Sequence, residues 1–400
     1  MLQKTGRQGK IDHDDLYQLA GQLGDETHPS PGLFNQCYTD HEWYRLECDA
    51  LFAKQWAVAG FAHDIESPGS VKPIEFVGHP LLLLRDMDGE IRVFENVCIH
   101  RGAILVEKPG RLKSGVLTCP YHAWCYRLDG RLHKTPDAGG PGQDTDDRLD
   151  KSQMGLRPVR HHVWMGMIFV NLSGDAPDFT TRYASLLERW SAFADQSLYH
   201  SKADSTMRIE LEANWKLPVE NYCESYHLPM VHPSLNSYSR LEDHYDIVEP
   251  WLYSGQGTYV YEPSFAIDGP EFTDVAGLPS AWQKCGEYIA LYPNVLLGIH
   301  RDHFYAIILH PFGPDNVVQD VGIFYFDPQV LGEAYQARRV ANRDLWRDIF
   351  AEDVGPIESM QKGRHARFFN GGVLTPAMEI PTRQFLRWCA GWCADVLASN

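Results

Sequence analysis

The chain has 400 residues, a length that corresponds to two or three domains, and at 44% hydrophobic and 22% charged its composition is that of an ordinary globular protein. A formal charge of −17 argues against nucleic acid as a partner, because binding phosphate requires a basic face. No apolar run approaches the roughly 20 residues of a membrane span, and the first seven residues turn polar without the apolar stretch of a secretion signal, so no membrane association and a cytoplasmic location are expected.

Taken in order, residues 1–47 are mostly polar, with a short helix expected over 14–23 and a loop at 29–32. From Trp56 the texture changes to short apolar runs at 56–60, 81–84, 91–97, 116–118 and 163–172, with turn signals at Asp88-Gly89 and Asp129-Gly130. Such punctuation describes a small antiparallel β domain. Residues 137–150, rich in Gly, Asp and Pro, are expected to form a surface loop. Helices are then expected over 183–194 and 215–226, strands over 251–261, 288–292, 295–300, 304–310 and 317–326, and closing helices over 333–352 and 382–397. Strands bracketed by helices indicate an α+β domain. The expected organisation is an N-terminal arm (1–47), a β domain (48–174) and an α+β domain (175–400), without internal repeats.

The nine cysteines are odd in number and irregularly spaced, so metal ligation or burial is expected rather than a disulfide framework. Cys98-Ile99-His100 is followed, after 18 intervening residues, by Cys119-Pro120-Tyr121-His122. Two thiolates and two imidazoles can hold one zinc or a [2Fe–2S] cluster. Zinc fingers usually pair Cys with Cys and His with His, whereas each half here supplies one of each. That mixed pairing suits two irons, each taking like ligands from both loops.

The stretches Asn96-Val97-Cys98-Ile99-His100-Arg101-Gly102-Ala103 and Cys119-Pro120-Tyr121-His122-Ala123-Trp124 resemble the cluster loops of Rieske non-haem iron oxygenases, the family of the ring-hydroxylating alpha subunits. The resemblance implies that Cys98, His100, Cys119 and His122 hold a [2Fe–2S] cluster. Respiratory-chain Rieske proteins carry an additional cysteine in each loop. Ala103 and Tyr121 stand at those positions here, which favours the oxygenase branch. Cys125 has no partner in the first loop and is read as structural, and the glycine usual after the second histidine is Ala123.

A second motif follows. His227 and His232, five apart with Pro229 between them, cannot share a regular helical face, but converge if the helix ends near Tyr226 and the chain turns. Two histidines and a carboxylate would leave positions open on Fe(II) for O₂. The run from Asn214 to His232 resembles the mononuclear-iron motif of the same family, and Glu352-Asp353, followed by Glu358 and Gln361-Lys362-Gly363, resembles its third-ligand segment. The resemblance makes Asp353 the ligand, with Glu352 its local competitor. It also makes Glu224 the acidic bridge between the iron and the cluster of a neighbouring subunit; a carboxylate that only hydrogen-bonds and orients His227 is the plainer alternative.

A glutamate at 224 resembles the branch that acts on choline, glycine betaine and carnitine, as does the stretch from Tyr292 to Gly313. This implies a helix-grip-like catalytic domain with a central antiparallel sheet, a homotrimer, and O₂-dependent monooxygenation, N-demethylation, of a small betaine-like cation. An aromatic cage could hold the cation; Tyr292, Tyr305, Phe265 and His300 are the candidates, with His300 or Arg301 available to a substrate carboxylate. No Gly-rich nucleotide motif follows a strand, so a separate NAD(P)H-dependent reductase is expected. The competing readings are an aromatic ring dioxygenase, a Rieske electron-transfer protein and a binding domain with an inactive iron site.

Overall fold

A computed structural model describes residues 11–264 and 267–399. They form two compact units, residues 56–176 and residues 11–55 together with 177–399. No helix among the described residues is long and apolar enough to cross a membrane.

The unit of residues 56–176 is built from β1 (Ala57–Phe61), β2 (Ser70–Phe76), β3 (His79–Arg85), β4 (Ile91–Glu95), β5 (Gly110–Arg111), β6 (Val116–Thr118), β7 (Cys125–Arg127), β8 (Leu132–Lys134), β9 (Arg160–Trp164) and β10 (Met167–Asn171). They pair in the orders β1-β10-β9, β4-β3-β2-β5 and β6-β7-β8, antiparallel throughout. Asp86 and Gly89 close the β3–β4 hairpin. Gly89 sits at φ 92°, and Asp86 Oδ1 accepts from the N–H groups of Asp88 and Glu90.

The single run expected over 163–172 is in fact a hairpin. The chain reverses at Met165 and Gly166, whose φ values of 48° and 72° suit a two-residue loop, and Trp164 pairs with Met167. Methionine carries no turn signal. β2 goes unseen in the sequence because Pro73 argues against a strand interior.

The other unit opens with α1 (His13–Leu23), α2 (Gln36–Thr39) and α3 (His41–Glu47) and resumes with α4 (Phe179–Arg182) and α5 (Ala184–Arg189). The helix expected over 183–194 is broken at Tyr183 and Trp190, both buried aromatics at helix ends. The sheet contains β11 (Thr206–Leu211), β12 (His244–Glu249), β13 (Tyr253–Thr258), β14 (Gly286–Leu291), β15 (Val295–Ile299), β16 (His303–Pro311) and β17 (Val317–Tyr325), with α6 (Lys216–Cys223) and α7 (Leu228–Val231) between the first two. Strands β12 to β17 are consecutive neighbours, and β11 pairs with β17, all antiparallel. β14, β15 and nearly all of β16 are buried at every position, so both faces of the sheet centre are covered.

α8 (Gln336–Gly363) runs eleven residues beyond the expected end, through Gly355 and Pro356. Proline removes the N–H that would bond the Glu352 carbonyl, but the helix continues. α9 (Ile380–Ser399) packs on β13, and α1 lies along α9.

The polar N-terminal segment conceals an inward-facing set. Glu47 is buried, receives Lys216 Nζ at 2.6 Å, and accepts from the indole N–H groups of Trp43 and Trp215 at 2.9 Å each. Tyr38 donates to Glu220 Oε1 at 2.6 Å, and the Arg364 guanidinium lies 3.9 Å from the centre of its ring. These residues join the N-terminal segment to α6 and to the end of α8.

Candidate metal centres

Each cluster loop follows a strand, the first after β4 and the second after β6. The first is closed by Cys98 N–H to Ala103 O at 2.8 Å and Gly102 N–H to Cys98 O at 3.0 Å; the second by Cys119 N–H to Trp124 O at 2.8 Å and Ala123 N–H to Cys119 O at 3.1 Å. Gly102 and Ala123 occupy equivalent left-handed positions, φ 75° and 55°. The alanine carries a β-carbon where glycine is free of strain.

The loops bring the four side chains together. The His100 and His122 rings are 4.8 Å apart between centroids, and His100 stacks on Trp124 at 4.5 Å. Cys98 and Cys119 are 1% and 3% exposed, whereas both histidines are exposed. Thiols inward and imidazoles outward fit a [2Fe–2S] group with unlike ends, and a single ion gives no reason for that polarity. Cys98 Sγ lies 3.0 Å from Tyr126 Oη. Cys125 donates to Ala123 O at 3.1 Å, a structural contact.

In the other unit α6 stops at Cys223, three residues before the expected end. Glu224 is extended (φ −125°, ψ 160°), and Pro229 stands at the start of the short α7. The two histidines therefore flank α7 rather than a bend. Asp353 arrives from α8. One ligand atom from each of His227, His232 and Asp353 lies within 4.8 Å of the others, with Asp353 Oδ1 2.9 Å from His232 Nε2 and 3.7 Å from His227 Nε2. That oxygen is buried and lacks a hydrogen bond of acceptable geometry, as expected of an acceptor aimed at an ion.

Each imidazole is turned by a second carboxylate. His227 Nδ1 meets Glu224 Oε1 at 2.7 Å, and His232 Nδ1 meets Glu352 Oε2 at 2.7 Å. Both Nε2 atoms consequently face Asp353, and the donor set suits iron. Burial alone would hold His232 down, but Asp353 and Glu352 together raise it above the usual imidazole range. Glu352, the sequence competitor for the ligand position, is thus the partner of a histidine. Glu224 touches His227 although the two do not share a helix; Gln256 Nε2 donates to the Glu224 carbonyl at 3.0 Å.

The three groups open into a cavity of about 480 Å³, mouth included, walled by Tyr222, Tyr288, Tyr305, Trp346 and Phe350. Of the aromatic candidates, Tyr305 lines this cavity and Tyr292 does not. The latter is buried beside α9 against Phe385 and Trp388, donating to Ser254 Oγ at 2.6 Å, and is a core residue. His300 lines an adjacent cavity, Arg301 is paired with Asp274 at 2.9 Å, and Phe265 lies outside the described residues. Trp346 and Phe350 were missed; they precede Asp353 by seven and three residues, one face of α8, and that spacing was the available signal.

A family model for the ring hydroxylating alpha subunit (catalytic domain) matches residues 187–395, and one for the Rieske [2Fe-2S] domain matches residues 55–145. The chain belongs to the ring-hydroxylating alpha-subunit family. It is a Rieske non-haem iron oxygenase, an oxidoreductase with a [2Fe–2S] domain and a catalytic iron domain. This oxygenase is 27% identical over 342 residues to the carnitine monooxygenase oxygenase subunit of Escherichia coli (strain K12), covering 84% of each chain. Its fold is similar to that of the quaternary ammonium Rieske monooxygenase CntA in complex with L-carnitine (TM-score 0.74, 20% identity, 96% of this chain and 99% of that one). It is equally similar to naphthalene 1,2-dioxygenase from Rhodococcus sp. (TM-score 0.75, 19% identity, 96% and 98%), so the fold alone does not choose a substrate.

Proposed function

We propose that this oxygenase removes an N-methyl group from a small quaternary ammonium compound. The observation that carries the proposal is the cavity wall: aromatic rings surround the space beside Asp353, and among the described residues no lysine or arginine lines it. Aromatic faces attract a desolvated cation by about 2 kcal/mol or more, and a cationic wall would repel it. His227, His232 and Asp353 are assigned to the iron, and Cys98, His100, Cys119 and His122 to the cluster. When bound, the two groups supply O₂ activation and one-electron transfer.

The chain's own residues do the rest. Glu224 and Glu352 hold the imidazoles in orientation, and the rings of Tyr288, Tyr305 and Trp346 hold the methyl-bearing nitrogen and exclude water. In balance, one O₂, two electrons and two protons convert the N–CH₃ group to N–CH₂OH and give one water. The C–N bond then breaks with its electron pair going to nitrogen, a proton leaves the hydroxyl, and formaldehyde departs. Electrons come from a separate NAD(P)H-dependent reductase. In a homotrimer, Glu224 connects the iron to the cluster of the adjacent subunit, and the location is cytoplasmic. Aromatic ring dihydroxylation is the competitor, because the same walls would accept a flat hydrocarbon.

Oxygen uptake separates them. With a surrogate reductase and NADH, trimethylammonium compounds are expected to raise uptake several-fold over background and simple aromatic hydrocarbons are not. The reverse pattern overturns the proposal.

A further inference from the structure

The unit that carries the iron site has a second cavity, about 580 Å³ with its mouth, and one side chain ties it to the first. Trp346 walls the metal cavity, about two turns of α8 before Asp353. The same indole also meets His303 and Tyr261, both of which line the second cavity.

The indole is 2% exposed, and its N–H donates to His303 Nε2 at 3.0 Å. His303, 3% exposed, meets Asp302 Oδ1 through Nδ1 at 2.6 Å. Indole nitrogen can only donate, so Nε2 carries no proton and Nδ1 donates to Asp302. A buried indole N–H needs an acceptor, and a carbonyl oxygen would serve. An imidazole does more. It can take the proton itself, and the carboxylate behind it fixes the tautomer and stabilises the imidazolium. Indole gives up that proton only after losing an electron, because oxidation turns a very weak acid into a strong one. Asp302 and His303 therefore equip Trp346 to be oxidised without leaving a bare positive charge in a buried wall.

A second oxidisable ring lies beside it. The Tyr261 and Trp346 rings are stacked, with centroids 5.8 Å apart and planes 13° from parallel. Phenol and indole are among the side chains most readily oxidised by one electron, and rings this close exchange electrons readily. Tyr261 lines the second cavity, whose lining includes the exposed Glu271, so the pair runs from the metal cavity to a space that reaches the surface.

We infer that Trp346, with His303, Asp302 and Tyr261, is an outlet for oxidising power when O₂ is reduced in the metal cavity with no substrate present. Trp346 gives up one electron, and its Nε1 proton passes to His303 Nε2, leaving a neutral indolyl radical beside an imidazolium held by Asp302. Tyr261 returns the electron to Trp346, His303 returns the proton, and the phenol proton leaves through the second cavity. A small thiol or ascorbate in solvent then restores Tyr261. Two such passages, added to two electrons from the reductase and four protons, convert one O₂ to two waters. The role is independent of what the enzyme's substrate is.

The test is freeze-quench electron paramagnetic resonance. Iron-loaded protein with its cluster chemically reduced is mixed with O₂ in the absence of substrate, with ring-deuterated tryptophan incorporated to identify the radical. An indolyl radical is expected, several-fold longer-lived in Tyr261→Phe and absent from Trp346→Phe. His303→Gln keeps an acceptor for the indole but none for its proton, and should lower the radical yield several-fold. Iron content and cluster absorbance, read alongside, show that each variant is folded and loaded. Peptide mass analysis after repeated O₂ exposure with ascorbate should find several-fold more oxygen adducts on the cavity residues of Trp346→Phe than on those of the unmodified protein. No protein radical in the unmodified protein and in Tyr261→Phe overturns the inference, as does a radical undiminished in Trp346→Phe. A radical undiminished in His303→Gln overturns the proton-accepting role and leaves His303 a mere anchor for the ring.

Discussion

At the scale of single residues, the iron site is decided by which way each carboxylate points. Residues one apart on a helix differ by about 100° in direction. Glu352 and Asp353 therefore cannot share a role, and α8 turns Asp353 toward both Nε2 atoms while Glu352 reaches His232 Nδ1. Partners of this kind typically affect metal affinity or activity by about 10–100-fold. Glu352→Ala is accordingly expected to weaken iron binding by about that factor, read by metal analysis, with the cluster absorbance unchanged. Full iron affinity in this variant would contradict the orientation role. Glu224→Gln tests the bridge: it should retain both metals yet slow reoxidation of the reduced cluster by O₂ and substrate by about 10–100-fold. Reoxidation at the normal rate would reduce Glu224 to a support for His227. The ligand types were legible in the sequence because spacing and neighbours specify them. Glu352's partner was not, because it lies 120 residues away.

At the scale of elements, the sequence located the long strands well and the helix ends poorly. Apolar runs rich in β-branched and aromatic residues mark β14 to β17, whereas α6 ends at Cys223 without glycine or proline to announce it. α8 passes a Gly-Pro pair that ordinarily stops a helix, held on both sides of it by buried Phe350 and Ile357. The aromatic pocket suffered similarly. Tyr292 and Tyr305 are alike in sequence, and only tertiary packing sends one to the core and the other to the cavity. The element least visible in advance is the N-terminal segment, polar by composition yet anchored to α6 through the buried Glu47–Lys216 pair, with side chains 1% and 0% exposed. Removing one partner of a buried pair strands a charge and costs about 3–5 kcal/mol. Lys216→Met should lower the urea midpoint accordingly, and Lys216→Met combined with Glu47→Gln should recover part of the loss. An unchanged midpoint in the single variant would show that the pair does not hold the segment.

At the scale of the whole molecule, two compact units carry two different metal chemistries, and the proposed trimer would let the cluster of one subunit serve the iron of the next. That arrangement has a direct consequence. Asp353→Ala subunits lack an iron ligand, and Cys98→Ser subunits lack a cluster ligand, so neither is expected to turn over alone. Refolded or co-expressed as mixed assemblies, the two should regain a measurable part of the activity. Failure to complement, with mixed assemblies demonstrated by mass, would contradict transfer between subunits. The family and the paired cofactors were legible from two short motifs because their donor sets are specific. The substrate was not, because it depends on walls contributed by β14, β16, α6 and α8 together.

The most direct measurement is product analysis after a single turnover. The protein, iron-loaded and with its cluster chemically reduced, is exposed to O₂ and a trimethylammonium carboxylate, then separately to a simple aromatic. Formaldehyde and the demethylated amine in equal amounts, with the aromatic unchanged, are the predicted result. A cis-diol from the aromatic, with the amine returned intact, would contradict it.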